Sequence, residues 1–149
     1  MRIPKSGTKS LIYPELSYKI VGILFDVYNR FGYAYPEKYL QKAIEEALKT
    51  NKVPFKKEEK VDLYFDGKKI GRHFVDFIID DKIVLEIKKG FRISVADTKQ
   101  VLMYLRSFNL RLGILAYFGS DKLIYKRIVN SKARVFNDEA GVRNSHDLL

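Results

Sequence analysis

The stretch FVDFIIDDKIVLEIK, residues 74–88, decides the fold of this chain and carries its most unusual charges. Two apolar runs flank a polar turn at residues 80–82, a pattern that predicts an antiparallel β-hairpin. Three charges interrupt the apolar runs, namely Asp76, Glu86 and Lys88. Burying a charge is costly unless it is paired or binds a metal, so these charges indicate chemistry.

The register of this hairpin follows from its turn. A three-residue loop places Ile79 opposite Ile83 and Asp76 opposite Glu86, so that the charges gather near one end of one face. The other face is then entirely apolar and comprises Val75, Phe77, Ile79, Ile83, Leu85 and Ile87. A two-residue loop would place Asp76 opposite Leu85 and scatter the charges, so the first register is preferred. Alternation also places His73 on the face away from Asp76, and we expect a structural role for it.

Apolar spacing predicts the remaining elements. A helical period predicts helices over Glu15–Phe31 and Pro36–Thr50, and Ser94 with Asp97 predicts a capped helix to Phe108. Strands are predicted on both sides of the Asp66-Gly67 turn, with the second over Lys69–Ile79, and then at Ile83–Lys89, Leu112–Phe118 and Leu123–Val129. The order α-α-β-β-β-α-β-β predicts an α/β fold with a mixed β-sheet flanked by helices. We expect an irregular basic lead-in over residues 1–13, one domain over 14–129 and a polar tail over 130–149.

Composition narrows the function classes. The 149 residues carry a net charge of +10, which indicates a polyanionic partner such as nucleic acid. The chain has no cysteine, which excludes disulfides and thiolate metal sites. The sequence shows no secretory signal and no apolar run that would span a membrane, so we expect a cytoplasmic protein without membrane contact.

The charged end of the hairpin predicts a metal site. Directly opposed residues have Cβ atoms about 5 Å apart, so two carboxylates at Asp76 and Glu86 repel each other without a cation. Oxygen ligands without His or Cys favour Mg²⁺ or Mn²⁺ over zinc. Lys88 lies on the same face, where its ammonium could hold a water nucleophile or neutralise a phosphate. A salt bridge of Lys88 with either carboxylate on an exposed sheet face is the alternative.

These residues resemble a known active site. Asp76 followed by Glu86-Ile87-Lys88 resembles the core hairpin of the PD-(D/E)XK nuclease superfamily, which has a restriction-endonuclease-like core. Gln100 and Tyr104 look like the QxxxY motif of the RecB-like branch, and at i and i+4 they share a helical face. Glu37 resembles the helical glutamate that precedes the hairpin in that branch.

The chain also resembles the small GxxExxY protein family, from about Tyr13 to Val129. Residues 32–43, GYAYPEKYLQKA, align with the signature of that family. Ala34 replaces a glycine of the signature and Leu40 replaces its tyrosine. Neither position is a metal ligand, and the departures bear on the packing of the second helix and on a substrate role for the tyrosine.

The resemblance implies a metal-dependent nuclease, a hydrolase of phosphodiester bonds, with DNA favoured as substrate. Metal ligands would be Asp76, Glu86, the carbonyl of Ile87, and Glu37. Lys88 would position the attacking water, and Gln100 and Tyr104 would orient Lys88 or the phosphate. Nearby cations that could grip the nucleic-acid backbone are Lys89, Arg92, Lys99 and Arg106.

Two other classes stay open at the level of sequence. The first is a catalytically inactive nucleic-acid-binding or accessory module on a nuclease-like fold, since fold does not imply function. The second is a membrane-surface or protein-interaction domain that uses the positive charge. A homodimer is one arrangement that the resemblance allows. The sequence does not decide between DNA and RNA, or between endonuclease and exonuclease activity.

Overall fold

The computed structural model describes residues 11–133, and within them eight elements follow one another in the predicted order. The helices are α1 (Pro14–Phe31), α2 (Glu37–Thr50) and α3 (Val95–Phe108). The strands are β1 (Phe55–Phe65), β2 (Lys68–Ile79), β3 (Ile83–Lys89), β4 (Leu112–Phe118) and β5 (Leu123–Val129). Most of the predicted lead-in, up to residue 10, and the predicted tail from residue 134 lie outside the described residues.

The five strands form one mixed sheet in the order β1-β2-β3-β4-β5. Every neighbouring pair is antiparallel except β3 and β4, which are parallel. A parallel pair needs a crossover connection, and α3 supplies it. The predicted α/β fold with a mixed sheet flanked by helices is therefore confirmed.

Helices cover both faces of the sheet. The apolar stripes of α1 and α2 pack on one face, where Ile20, Leu24, Leu40, Ile44, Phe77, Leu85 and Ile114 are buried together. Helix α3 packs on the other face, where Val101, Tyr104 and Leu105 meet Ile78, Val84 and Leu115. Among residues 11–133, none of the helices combines the length and the apolar composition of a membrane span.

Both predicted turns form. Ile79 pairs with Ile83, so the register of the β2–β3 hairpin is as predicted. The loop between them uses Asp80 and Asp81 at φ values of 52° and 53°, a left-handed conformation that Asp tolerates better than most residues. Asp66 and Gly67 also have positive φ values, as a two-residue hairpin turn requires.

The sheet face predicted for the side chains of β2 is correct after Asp76 but wrong before it. Phe77 packs with α1 and α2, whereas Val75 packs in the α3 cluster, so placing Val75 with Phe77 was wrong. Strand β1 pairs Lys57 with Phe77 and Glu59 with Val75, but it skips the pair between Glu58 and Asp76. Glu58 has a φ of +56°, which breaks the alternation here. The two ends of β2 consequently present opposite faces.

The start of α3 is fixed by side chains on two elements. Ser94 Oγ accepts a hydrogen bond from the backbone N–H of Asp97 at 3.0 Å, as the predicted cap requires. The Asp97 carboxylate does not return to the Ser94 backbone but accepts a hydrogen bond from the hydroxyl of Tyr117 on β4. That hydroxyl in turn accepts from the Ser94 N–H at 3.3 Å. The helix start is thereby tied to the strand next to β3.

Close packing of α3 on β4 yields a stability prediction. A Cβ added at Gly113 would lie 2.5 Å from Val101 Cγ1 and 3.4 Å from Leu105 Cδ1. Since a β-branched side chain on a packed helix cannot move aside, we expect Gly113→Ala to lower the free energy of unfolding by about 1–3 kcal/mol. Urea denaturation measures this change.

Gly22 provides the matched control for that prediction. It lies on the exposed side of α1, and a Cβ there meets nothing within 4 Å. Gly22→Ala should stabilise the protein by up to about 1 kcal/mol, because alanine favours a helix interior. Equal effects of the two substitutions would contradict the packing account.

Candidate active site

Strands β2 and β3 part at Asp76 and Glu86. Their backbone pairing runs from Ile79–Ile83 to Phe77–Leu85 and stops there. Beyond that point the Glu86 carboxylate accepts a hydrogen bond from the Asp76 N–H at 2.8 Å. The Asp76 carboxylate accepts one from the Ile87 N–H, also at 2.8 Å. Each carboxylate thus accepts a backbone N–H of the other strand where the strand pairing stops. We call this pair, Asp76 with Glu86, the carboxylate fork.

The carboxylate fork carries negative charge in a poorly solvated position. Glu86 is 3% exposed, and its burial together with the charge of Asp76 raises its pKa to about 8. Burial also raises the pKa of Asp76, against the opposing effects of the Ile87 N–H and the Lys88 charge. Neither carboxylate forms a salt bridge with a residue in the range 11–133. The fork therefore favours binding of a cation.

Lys88 on β3 supplies a positive charge that acts on the carboxylates of the site. It is half-buried, and its charge lowers the pKa values of Asp76, Glu86 and Glu37. It forms no ion pair within 4.0 Å among the described residues, so the salt bridge considered from the sequence is not formed. Its ammonium is therefore available to a ligand.

Helix α2 brings Glu37 to the carboxylate fork through Gln41, a residue outside the site predicted from the sequence. The Gln41 amide nitrogen donates to Glu37 Oε1 at 3.2 Å and to Asp76 Oδ1 at 3.0 Å. Burial and the charge of Asp76 raise the pKa of Glu37. The spacing of four residues between Glu37 and Gln41 was a usable signal, because i and i+4 share a helical face. The target of Gln41 depends on how α2 packs and was not predictable.

Gln100 and Tyr104 share one face of α3, and their amide and hydroxyl groups contact His73. The Gln100 amide nitrogen lies 3.0 Å and the Tyr104 hydroxyl 3.2 Å from His73 Nδ1. The charges of Glu86 and Asp76 act with burial to raise the pKa of Tyr104, so the pair lies near the carboxylate fork. A direct role in orienting Lys88 stays a prediction, since the nearest polar partner of both is His73.

The four cations predicted to contact phosphates differ in their exposure and in their position in the fold. Lys89 is half-buried, with its ammonium 4.3 Å from the centre of the Tyr33 ring. Arg92 and Lys99 are exposed, in the β3–α3 loop and the first half of α3. Arg106 is also exposed but lies in the last turn of α3, about 9 Å of helix rise beyond Gln100. Arg106 therefore lies much farther along α3 from Gln100 than Lys99 does.

A cavity of about 150 Å³ opens beside Asp76 on the α2 side. Three lysines outside the predicted site line it together with Gln41 and Asp76, namely Lys38, Lys42 and Lys57. Glu45 and Glu58 line it as well, and Lys57 is paired with Glu45 at 3.0 Å. Lysines and carboxylates are therefore mixed on the α2 side of the fork.

The donor set fits a hard divalent cation with few protein ligands. Residues 11–133 contain no group of three His, Asp or Glu side chains arranged to hold a metal. Mg²⁺ is commonly bound by one or two carboxylates, with water and substrate phosphate completing its coordination. Asp76 and Glu86 meet that requirement, and because burial raises the pKa of both, a bound cation would favour their charged forms. Coordination by Glu37 and the Ile87 carbonyl stays a prediction.

Comparisons with known proteins agree with this geometry. The crystal structure of SSO0001 is similar with a TM-score of 0.53 and 27% sequence identity. The match covers 62% of this chain and 50% of that chain, so it spans half the length of that protein. No curated protein sequence matches the chain. The family model of the PD-(D/E)XK nuclease superfamily matches residues 14–128, and the chain belongs to that superfamily.

Proposed function

We propose that this protein is a divalent-metal-dependent nuclease that hydrolyses phosphodiester bonds, with DNA as the substrate. The observation that carries the proposal is the carboxylate fork beside an unpaired Lys88. A surface that only binds phosphate gains nothing from two buried carboxyl groups, because they supply no positive charge. Together with membership of a nuclease superfamily, the fork favours hydrolysis over binding alone.

Asp76 and Glu86 would hold the ion, either Mg²⁺ or Mn²⁺. When bound, such an ion lowers the pKa of a water molecule and neutralises charge on the phosphate. Lys88 would hold the attacking water and stabilise the negative charge that grows on the phosphoryl oxygens. Gln41 would fix Glu37 and Asp76 relative to each other, since its amide donates to both.

The finer family assignment is part of the proposal. Gln100 and Tyr104 at i and i+4 on the helix after β3 support a place in the RecB-like branch, and residues 32–43 support the GxxExxY family. In that assignment His73 would link the Gln100–Tyr104 pair to β2. The cytoplasmic location and the homodimer expected from the sequence stay predictions.

A second candidate is an inactive nucleic-acid-binding module on the same fold. The favouring observation is that both fork carboxylates already accept backbone hydrogen bonds, which could be their whole role as supports for the parting strands. Residues 11–133 also contain no three His, Asp or Glu side chains grouped closely enough to hold a metal, which points the same way. Cation binding separates the two candidates, because only the nuclease requires it.

Cleavage of labelled DNA tests the proposal. Wild-type protein with Mn²⁺ or Mg²⁺ should nick or degrade the DNA, and Glu86→Ala should abolish this. Chelation of the metal should stop the wild-type reaction as well. Robust cleavage by Glu86→Ala would refute the assignment, and metal-independent DNA binding without cleavage by wild type would favour the inactive module.

A further inference from the structure

Two exposed aromatic rings lie in the loops next to Glu37 and Lys88 and have no function in the proposed mechanism. They are Tyr33, in the α1–α2 loop, and Phe91, in the β3–α3 loop, and we call them the aromatic pair. Their ring centres are 6.1 Å apart with 32° between the planes. Phe91 is 63% exposed and Tyr33 is 38% exposed.

The position of the aromatic pair links it to the site. Tyr33 precedes Glu37 by four residues, and Phe91 follows Lys88 by three. The Lys89 ammonium lies 4.3 Å from the centre of the Tyr33 ring, so one face of that ring is covered by a cation. The ring contact of Tyr33 with Phe91 joins the two loops, and the charges of Lys88 and Lys89 both act on Glu37. Phe91 therefore offers the free ring face of the pair.

The exposure of Phe91 is built into the backbone. Gly90 before it has a φ of +153°, and a Cβ there would lie 3.3 Å from Tyr117 Cδ1. The Gly90 N–H also donates to the Phe118 carbonyl at 3.2 Å. These contacts hold the start of the loop against β4, directly before the exposed Phe91. An exposed apolar ring at a fixed position, flanked by cations, indicates a binding surface.

We propose that Phe91, backed by Tyr33, is a stacking platform for an unpaired base of single-stranded nucleic acid. Aromatic rings combined with positive charge are the common means of binding single strands without sequence preference. Lys89 and Arg92 flank the platform and would contact the adjacent phosphates, in agreement with the net charge of +10. A base within a duplex is already stacked on both faces, so the platform selects strands that are unpaired.

The role of the platform in cleavage rests on the proposed nuclease function, whereas base stacking on Phe91 can be tested without it. If the carboxylate fork hydrolyses phosphodiesters, a base held on Phe91 would deliver a single strand to it. The rings of the pair are already within the range of aromatic contact, so the base would lie on the outer face of Phe91. The substrate class would then be single-stranded ends, gaps or flaps.

A single tryptophan tests the platform directly, because the chain contains none. Phe91→Trp places an indole in the platform, and octathymidylate added in EDTA should quench its fluorescence by stacking. An abasic octamer with the same charge should not quench it, and neither should a blunt hairpin duplex. In the same buffer Phe91→Ala should bind octathymidylate about tenfold more weakly than wild type.

Phe65 provides the matched control. It is 67% exposed at the β1–β2 hairpin, seven residues and about 23 Å of strand beyond Glu58. Phe65→Trp should show no quenching and Phe65→Ala no loss of affinity. Equal quenching of Phe91→Trp by the abasic octamer or the duplex would overturn the proposal. So would a shift of Phe91→Trp fluorescence with protein concentration alone, which would indicate a second copy of the chain as the occupant.

These measurements distinguish failure of the nuclease proposal from failure of the stacking platform. Stacking is measured in EDTA, where hydrolysis does not occur, so a protein that never cleaves DNA can still show the platform. A protein that cleaves DNA in a metal-dependent way but prefers duplex and shows no quenching would refute the platform alone.

Discussion

Lys88→Ala is expected to slow metal-dependent DNA hydrolysis by about 100- to 1,000-fold. The Lys88 ammonium is half-buried and unpaired among the described residues, so its charge acts on a phosphate with little screening. A preorganised charge of this kind needs no reorganisation when negative charge grows in the transition state. The rate is measured under single-turnover conditions with saturating Mn²⁺ and labelled single-stranded DNA.

Lys82→Ala is the control for this substitution. Lys82 lies in the loop of the same hairpin, where it pairs with Asp80 at 3.1 Å and is exposed. The control removes the same charge from the protein, and we expect a rate within about twofold of wild type. Lys88→Arg should retain part of the activity, because it keeps the charge but moves it. If Lys88→Ala cleaves DNA as fast as Lys82→Ala does, Lys88 has no role in catalysis.

Glu86→Gln is expected to stabilise the metal-free protein at about pH 9 by several kcal/mol, which raises Tm on the order of 10 °C. The pKa of Glu86 is raised from its ordinary value of 4.5 to about 8 in the folded protein. Above pH 4.5 the unfolded chain releases this proton while the folded protein still holds it, so stability falls as pH rises to about 8. Glutamine carries no charge and can still accept from the Asp76 N–H.

Glu45→Gln is the matched control, with an effect of opposite sign. Glu45 is also buried, but the hydrogen bond from Lys57 lowers its pKa, so removing its charge should destabilise the protein at the same pH.

A second measurement adds the metal. Saturating Mn²⁺ should raise the Tm of wild type more than that of Glu86→Gln. A Glu86→Gln protein that is less stable than wild type in EDTA at about pH 9 would show that the charge of Glu86 does not destabilise the folded protein.

The element order could be predicted because local signals agree with the fold throughout. Apolar stripes of helical period indicated α1 and α2, and the turn at Asp66-Gly67 separated two strands of alternating pattern. The pairing of Ile79 with Ile83 followed from matching apolar residues across a three-residue turn. Each of these signals lies within a few residues in the sequence.

The details of the site depend on contacts between distant residues, and these could not be predicted. Charges in an apolar hairpin were enough to single out Asp76 and Glu86. The sheet face predicted for Val75 was wrong because strict alternation is interrupted where Glu58 of β1, in a left-handed conformation, lies opposite Asp76. A glutamate in the sequence does not indicate such a conformation. The contacts of Gln41 with Asp76 and of Gln100 with His73 depend on how α2 and α3 pack on the sheet.

Calorimetric titration with Mn²⁺ near neutral pH tests the central claim most directly, because it asks whether the carboxylate fork binds a divalent cation. We predict saturable binding to wild type that is lost in Asp76→Ala, with far-ultraviolet circular dichroism showing that the variant remains folded. Binding of Mn²⁺ by Asp76→Ala with unchanged affinity, or no saturable binding by wild type, would contradict the account.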